Sequence, residues 1–168
     1  MREPSVSPEI MPHIITSVGM LVLNWSFVEN TLDMWTAIAY RDVGGDEIEK
    51  EIPKMFSRKV KYLRKCFRRL APLAPHRKAC LHFVERAKAI SDIRHNIVHG
   101  TLSDYDPETE MITFSILELN PDKTQHIAGK AKIVGRDLIG FANELLAMAS
   151  TGPVLTQSIL DSLESQDH

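Results

Sequence analysis

Arg94 and His99 set a permanent cation five residues from a histidine, the side chain that titrates nearest neutrality. That pair suits phosphodiester cleavage. An imidazole takes the proton from a ribose 2′-hydroxyl, and a guanidinium grips the phosphate in a forked contact as charge builds on its oxygens. Neither step needs a metal or another cofactor. Asp92, His95 and Asn96 crowd further polar groups into the same two turns. A structural reading competes with this one. Arg94 falls on the apolar stripe of its helix and could pair with a carboxylate such as Glu29, while His99 would sit at the helix C-terminus, where the dipole favours a cation. A second pair, Arg77 and His82, has the same separation. It lies at the start of a helix without such polar neighbours and reads as coincidence. Five residues turn an ideal helix through about 140°. Arg94 and His99 therefore meet one substrate only if the last turn distorts, or if the site is a cleft between helices such as a two-fold interface.

The elements that must hold these residues are mostly helical. Ser7-Pro8-Glu9 carries helix-start chemistry, and Pro12 allows a start at His13. Ile14, Val18, Leu21, Trp25, Val28, Leu32, Trp35 and Ala39 then recur at three-and-four spacing to about Tyr40. Met20, Leu23, Phe27 and Ile38 lie off that stripe, so this helix is expected to bury two faces. A second helix is predicted from Pro53 to Leu70, and a third from His76 to His99 with Cys80, Val84, Ala87, Ser91, Arg94 and Val98 facing inward. Gly100 stands where a helix end favours a left-handed residue. The period then changes to two. Met111 to Leu117 and His126 to Val134 read as strands around an Asn120-Pro121-Asp122 turn, with Leu102 to Tyr105 as a possible third. Helix returns over 135–150, Gly152-Pro153 is expected to break it, and a short last helix follows.

Charge is segregated along the chain. Residues 54–88 hold twelve Lys or Arg against the single acid Glu85, a net +11 in a chain whose total is −2. Within 54–69 there are eight basic residues and no acid. Such a stretch is the electrostatic footprint of a polyanion surface, and Arg58, Lys61, Arg64, Lys65, Arg68 and Arg69 are its candidate RNA contacts. A solvated helix face neutralised by acidic neighbours is the competing reading. Only two cysteines occur, both on apolar stripes, too few for a disulfide framework or a zinc site. The N-terminus lacks signal-peptide architecture, and the apolar stretch Val18–Val28 is short and interrupted by Asn24 and Ser26. A soluble cytoplasmic protein without a membrane partner is expected.

The run Arg94-His95-Asn96-Ile97-Val98-His99-Gly100 resembles the signature of the HEPN superfamily (higher eukaryotes and prokaryotes nucleotide-binding domains). That signature is an Arg, four to six residues, then His, with a polar residue commonly following the Arg; His95 holds that place here. The long first helix with Trp25-Ser26-Phe27-Val28-Glu29 and the hairpin after the motif helix are similar too. The resemblance implies a mainly α fold, a HEPN-like antiparallel helical bundle in one domain. Residues 13–150 would be its core, 100–134 a hairpin insertion, and 153–168 a C-terminal helix and tail. It further implies a homodimer with facing motifs, and metal-independent RNA cleavage leaving a 2′,3′-cyclic phosphate and a 5′-hydroxyl. In that scheme His99 is the general base or acid, Arg94 the phosphate ligand, and His95 and Asn96 orient. A toxin or phage-defence role, with an antitoxin or nucleotidyltransferase partner, belongs to the same resemblance. Other members are non-catalytic modules that bind a nucleotide or a partner protein. A plain scaffold dimer would have no affinity for polyanions at all.

Overall fold

A computed structural model describes residues 9–119, 122 and 124–165. The elements run α1 (Met11–Asp42), α2 (Phe56–Arg69), α3 (Arg77–His99), β1 (Thr101–Asp106), β2 (Met111–Leu119), β3 (His126–Val134) and α4 (Gly135–Glu164). The protein is thus mainly helical with a small antiparallel sheet, ordered β1-β2-β3. Ser7, Pro8, Asn120 and Pro121, expected as helix-start and turn residues, lie outside the described residues. The chain divides into two compact units: Met1–Leu23 with Ile90–Glu144, and Asn24–Ala89 with Leu145–His168.

In the first unit the sheet is a meander. Asp106-Pro107 opens its first turn, where proline presets φ and the Asp carboxylate accepts bonds from the Glu108 N–H at 3.0 Å and the Thr109 hydroxyl at 2.6 Å. The Thr109 bond is the main cause holding the Asp106 carboxyl below its ordinary range. Alternation on β2 holds in part, since Thr113 on the opposite face is buried as well. Ile112, Phe114 and Ile116 are buried, together with Ile90 and Ile97 of α3, Ile14 and Leu21 of α1, and Leu138 and Ala142 of α4. Strand β3 pairs with β2 in a register that sets Ile112 opposite Ile133 and Leu119 opposite His126.

The second unit is helical. Trp35 is its centre, tilted against Phe83 at 5.0 Å and edge-on to Phe67 at 5.5 Å, its indole N–H donating to the Thr156 hydroxyl at 2.8 Å. Val28, Leu32, Val60, Leu63, Val84, Ala87 and Ile159 complete the core. Cys66 and Cys80 are free and buried. Burial pushes their thiols up to about 11 and about 12, so both stay protonated and inert near neutrality.

Four expectations are corrected. Of the off-stripe residues of α1, Ile38 is buried, but Met20, Leu23 and Phe27 are 40, 60 and 54 % exposed, so these three do not form part of a second buried face. Val98 is likewise exposed, because the buried side of the last turn of α3 is carried by Ile97. Gly152-Pro153 does not break α4, and no separate C-terminal helix begins at 153. Proline removes one backbone donor, yet packing holds the helix on both sides of it. A Cβ on Gly152 would come within 2.4 Å of Thr31 Oγ1, and Thr156 bonds back to the Gly152 carbonyl at 2.9 Å. That glycine serves close helix approach. Finally, Gly100 is not left-handed; Gly44 is the glycine with positive φ among the described residues. A Cβ at Gly100 would lie 2.9 Å from Phe114 Cβ and 3.1 Å from Ile116 Cγ2, so glycine there lets β2 close on the end of α3. By length and composition alone α1 and α4 both meet the criteria for a membrane span, a test that core helices of soluble proteins also pass; α1 extends well beyond Val18–Val28.

Candidate functional site

The motif occupies the last two turns of α3, and the chain leaves the helix at Gly100, whose N–H bonds to the Asn96 carbonyl at 2.9 Å. His95 and His99, four residues apart, fall on one helix face. Their rings meet at 4.6 Å between centroids, tilted by 51°. Both are exposed. They open onto a cavity of about 390 Å³ lined by His95, Asn96, His99, Ile116, Leu117, Leu119 and His126. Helix α3 supplies one wall, and the β2–β3 hairpin supplies the other. Leu117 and Leu119 are 75 and 52 % exposed, which leaves the cavity accessible from solvent.

In the sequence His126 is no more than the first residue of an expected strand. It reaches the motif because its register opposite Leu119 brings the start of β3 beside the end of β2, while Gly100 lets Phe114 and Ile116 approach α3. Two residues 27 apart that line one cavity leave no local signal in the sequence. Asn96 also lines a second cavity of about 300 Å³ on the other side, with Ile97, Phe114, Ile133 and Phe141. Asn96 thus contributes to the lining of both.

Arg94 is placed differently. It is half-buried and is absent from the lining of the histidine cavity. The angular separation expected on a regular helix is preserved, since α3 runs unbroken through His99. In one chain the cavity is lined by His95, Asn96 and His99 and not by Arg94. Glu29 accepts the Trp25 indole N–H at 3.1 Å.

The basic stretch lies in the second unit, where acids engage part of it. Lys59 is buried and paired with Asp33; Arg64 donates from Nε and from one terminal nitrogen to the two carboxylate oxygens of Glu85, and Lys65 reaches Glu49 at 2.8 Å. Arg64 is the main cause lowering the Glu85 carboxyl pKa, and Lys65 does the same for Glu49. Lys54, Arg58, Lys61, Arg68 and Arg69 are exposed. The twin pair separates in role. Arg77 donates from Nε to the Phe67 carbonyl at 2.7 Å and from a terminal nitrogen to the Arg68 carbonyl at 3.1 Å, capping the end of α2. His82 is exposed. Among the described residues, no group of three or more His, Cys, Asp or Glu has the geometry to hold a metal ion.

No protein-family model matches the chain, and neither the curated proteins nor the solved structures contain a match to it.

Proposed function

We propose that this protein is a HEPN-type endoribonuclease that cuts RNA without a metal and works as a homodimer. The observation that carries the reading is the open cavity at the end of α3, where the motif histidines His95 and His99 share one space with Asn96 and His126. An accessible imidazole can take the proton of a ribose 2′-hydroxyl, and His99 is exposed. The phosphate ligand is then the Arg94 of a second copy. This explains why Arg94 lies away from the cavity of its own chain, and it answers the angular problem of the motif. Exposed Met20, Leu23 and Phe27 on α1 offer apolar surface to that second copy. Exposed Arg58, Lys61, Arg68 and Arg69 supply the general attraction for RNA, with Arg64 and Lys65 partly neutralised by their acids. A HEPN-like antiparallel bundle, a cytoplasmic location, and a toxin or phage-defence role with an antitoxin or nucleotidyltransferase partner belong to the same proposal.

Incubating purified protein with single-stranded RNA in EDTA tests the reading. Cleavage supports it. Binding of RNA or a nucleotide without cleavage identifies a non-catalytic module instead, and absence of any polyanion binding leaves a scaffold. Light scattering at micromolar concentration should give twice the chain mass; a monomer would remove the composite site.

A further inference from the structure

We propose that His126 is the acid that protonates the leaving 5′-oxygen while His99 is the base. This assignment rests on the ribonuclease reading and names a second proton-transfer group for it. In the step, the 2′-oxygen forms a bond to phosphorus and the bond from phosphorus to the 5′-oxygen breaks. The 2′-hydroxyl proton passes to the neutral imidazole of His99, and the 5′-oxygen departs with a proton from the imidazolium of His126. Atoms and charge balance, and the two histidines end with exchanged protonation states, which solvent resets.

The geometry selects His126 for the second role. Attacking and leaving oxygens lie roughly in line through phosphorus, so base and acid must approach from different sides. His95 cannot supply the second side. Its ring sits 4.6 Å from that of His99 on the same helix face, and both reach the phosphate from the α3 wall. His126 comes from β3, the other wall of the same cavity. Asn96, Ile116, Leu117 and Leu119 provide the remaining lining, so among the described residues the three histidines are the titratable groups of the lining. His126 is exposed at the hairpin end, where it can meet substrate without being part of the core.

A leaving-group experiment separates the roles. The full-length protein and its variants are assayed in EDTA on an RNA dinucleotide and on a ribonucleoside 3′-(4-nitrophenyl phosphate), whose nitrophenolate leaves without needing a proton. His126→Ala should slow dinucleotide cleavage on the order of 10²–10⁴-fold, the usual worth of a positioned acid. On the ester it should recover most of that loss. His126→Asn, which keeps a polar residue at the strand start, should behave the same way, and circular dichroism checks both folds. His99→Ala should lose both substrates. Dinucleotide cleavage at the wild-type rate in His126→Ala, or equal losses on the two substrates, would overturn the assignment while leaving the ribonuclease reading in place. A wild-type protein that cleaves neither substrate would overturn the ribonuclease reading and the role of His126 with it.

Discussion

Replacing Gly100 with alanine should cost stability and blunt the site, and the structure sets the size of the effect. The new Cβ would lie 2.4 Å from the Asn96 carbonyl oxygen, 2.9 Å from Phe114 Cβ and 3.1 Å from Ile116 Cγ2. None of these is the far end of a flexible side chain. Asn96 O belongs to the last turn of α3, and Phe114 Cβ is fixed to the backbone of β2, so the strand itself must retreat by a few tenths of an ångström. Such overpacking costs about 1–3 kcal/mol. The smaller conformational freedom of unfolded alanine returns about 0.4–1 kcal/mol. A net loss of about 1–2 kcal/mol lowers Tm by roughly 2–8 °C for a chain of this size. Gly140→Ala is the control. That glycine lies on exposed α4 with nothing within 4 Å of an added Cβ, and the change should stabilise by up to about 1 kcal/mol. Urea unfolding at constant slope measures both. Because β2 carries Ile116 and Leu117 of the cavity wall, RNA cleavage should fall in Gly100→Ala and hold in Gly140→Ala. A Gly100→Ala protein as stable as Gly140→Ala would refute the argument that β2 closes on α3 at this glycine.

Further outcomes follow from the pairing of groups. Mixing Arg94→Ala with His99→Ala and allowing subunits to exchange should restore about a quarter of wild-type cleavage, since half the dimers are mixed and each holds one intact composite site of two; no recovery would place both residues in one chain's site. Arg77→Ala should lower stability by about 1 kcal/mol through the uncapped carbonyls of α2, and its measured unfolding midpoint should move even if RNA binding does not. Glu85→Gln should cost up to about 1 kcal/mol at pH 7, the upper end for a solvent-screened pair. Arg64 lowers the folded-state pKa of Glu85, so this contribution is present above the ordinary carboxylate range and is lost as pH falls through the lowered value. Wild type and variant should therefore converge in acid, and a gap that persists there would exclude the ion pair as its source.

Local pattern carried most of the secondary structure. The 3.6-residue stripe of Leu21, Val28, Leu32 and Trp35 and the alternation of Ile112, Phe114 and Ile116 are each read within one element, and they bury as read. Tertiary packing decided the rest. Gly152-Pro153 looks like a breaker locally, yet Thr31 and Thr156 hold that stretch inside one helix. Gly100 is a glycine for the sake of a strand that follows it, which no helix-end rule contains. The candidate site divides the same way. His95, Asn96 and His99 were visible because they lie on consecutive turns, while His126 joins them only through strand register. The displacement of Arg94 from the cavity follows from helical geometry that was already in the spacing.

If His99 drives metal-free RNA cleavage, its imidazole is required where that of His82 is not. The most direct test is to incubate wild type, His99→Ala and His82→Ala with a defined oligoribonucleotide in EDTA and to identify the product ends by mass spectrometry. Wild type and His82→Ala should give fragments ending in 2′,3′-cyclic phosphate with 5′-hydroxyl partners, and His99→Ala should give none while keeping its fold, since an exposed last-turn histidine contributes little to stability. Full activity in His99→Ala, equal losses in both variants, or intact RNA with the wild-type protein would contradict the account.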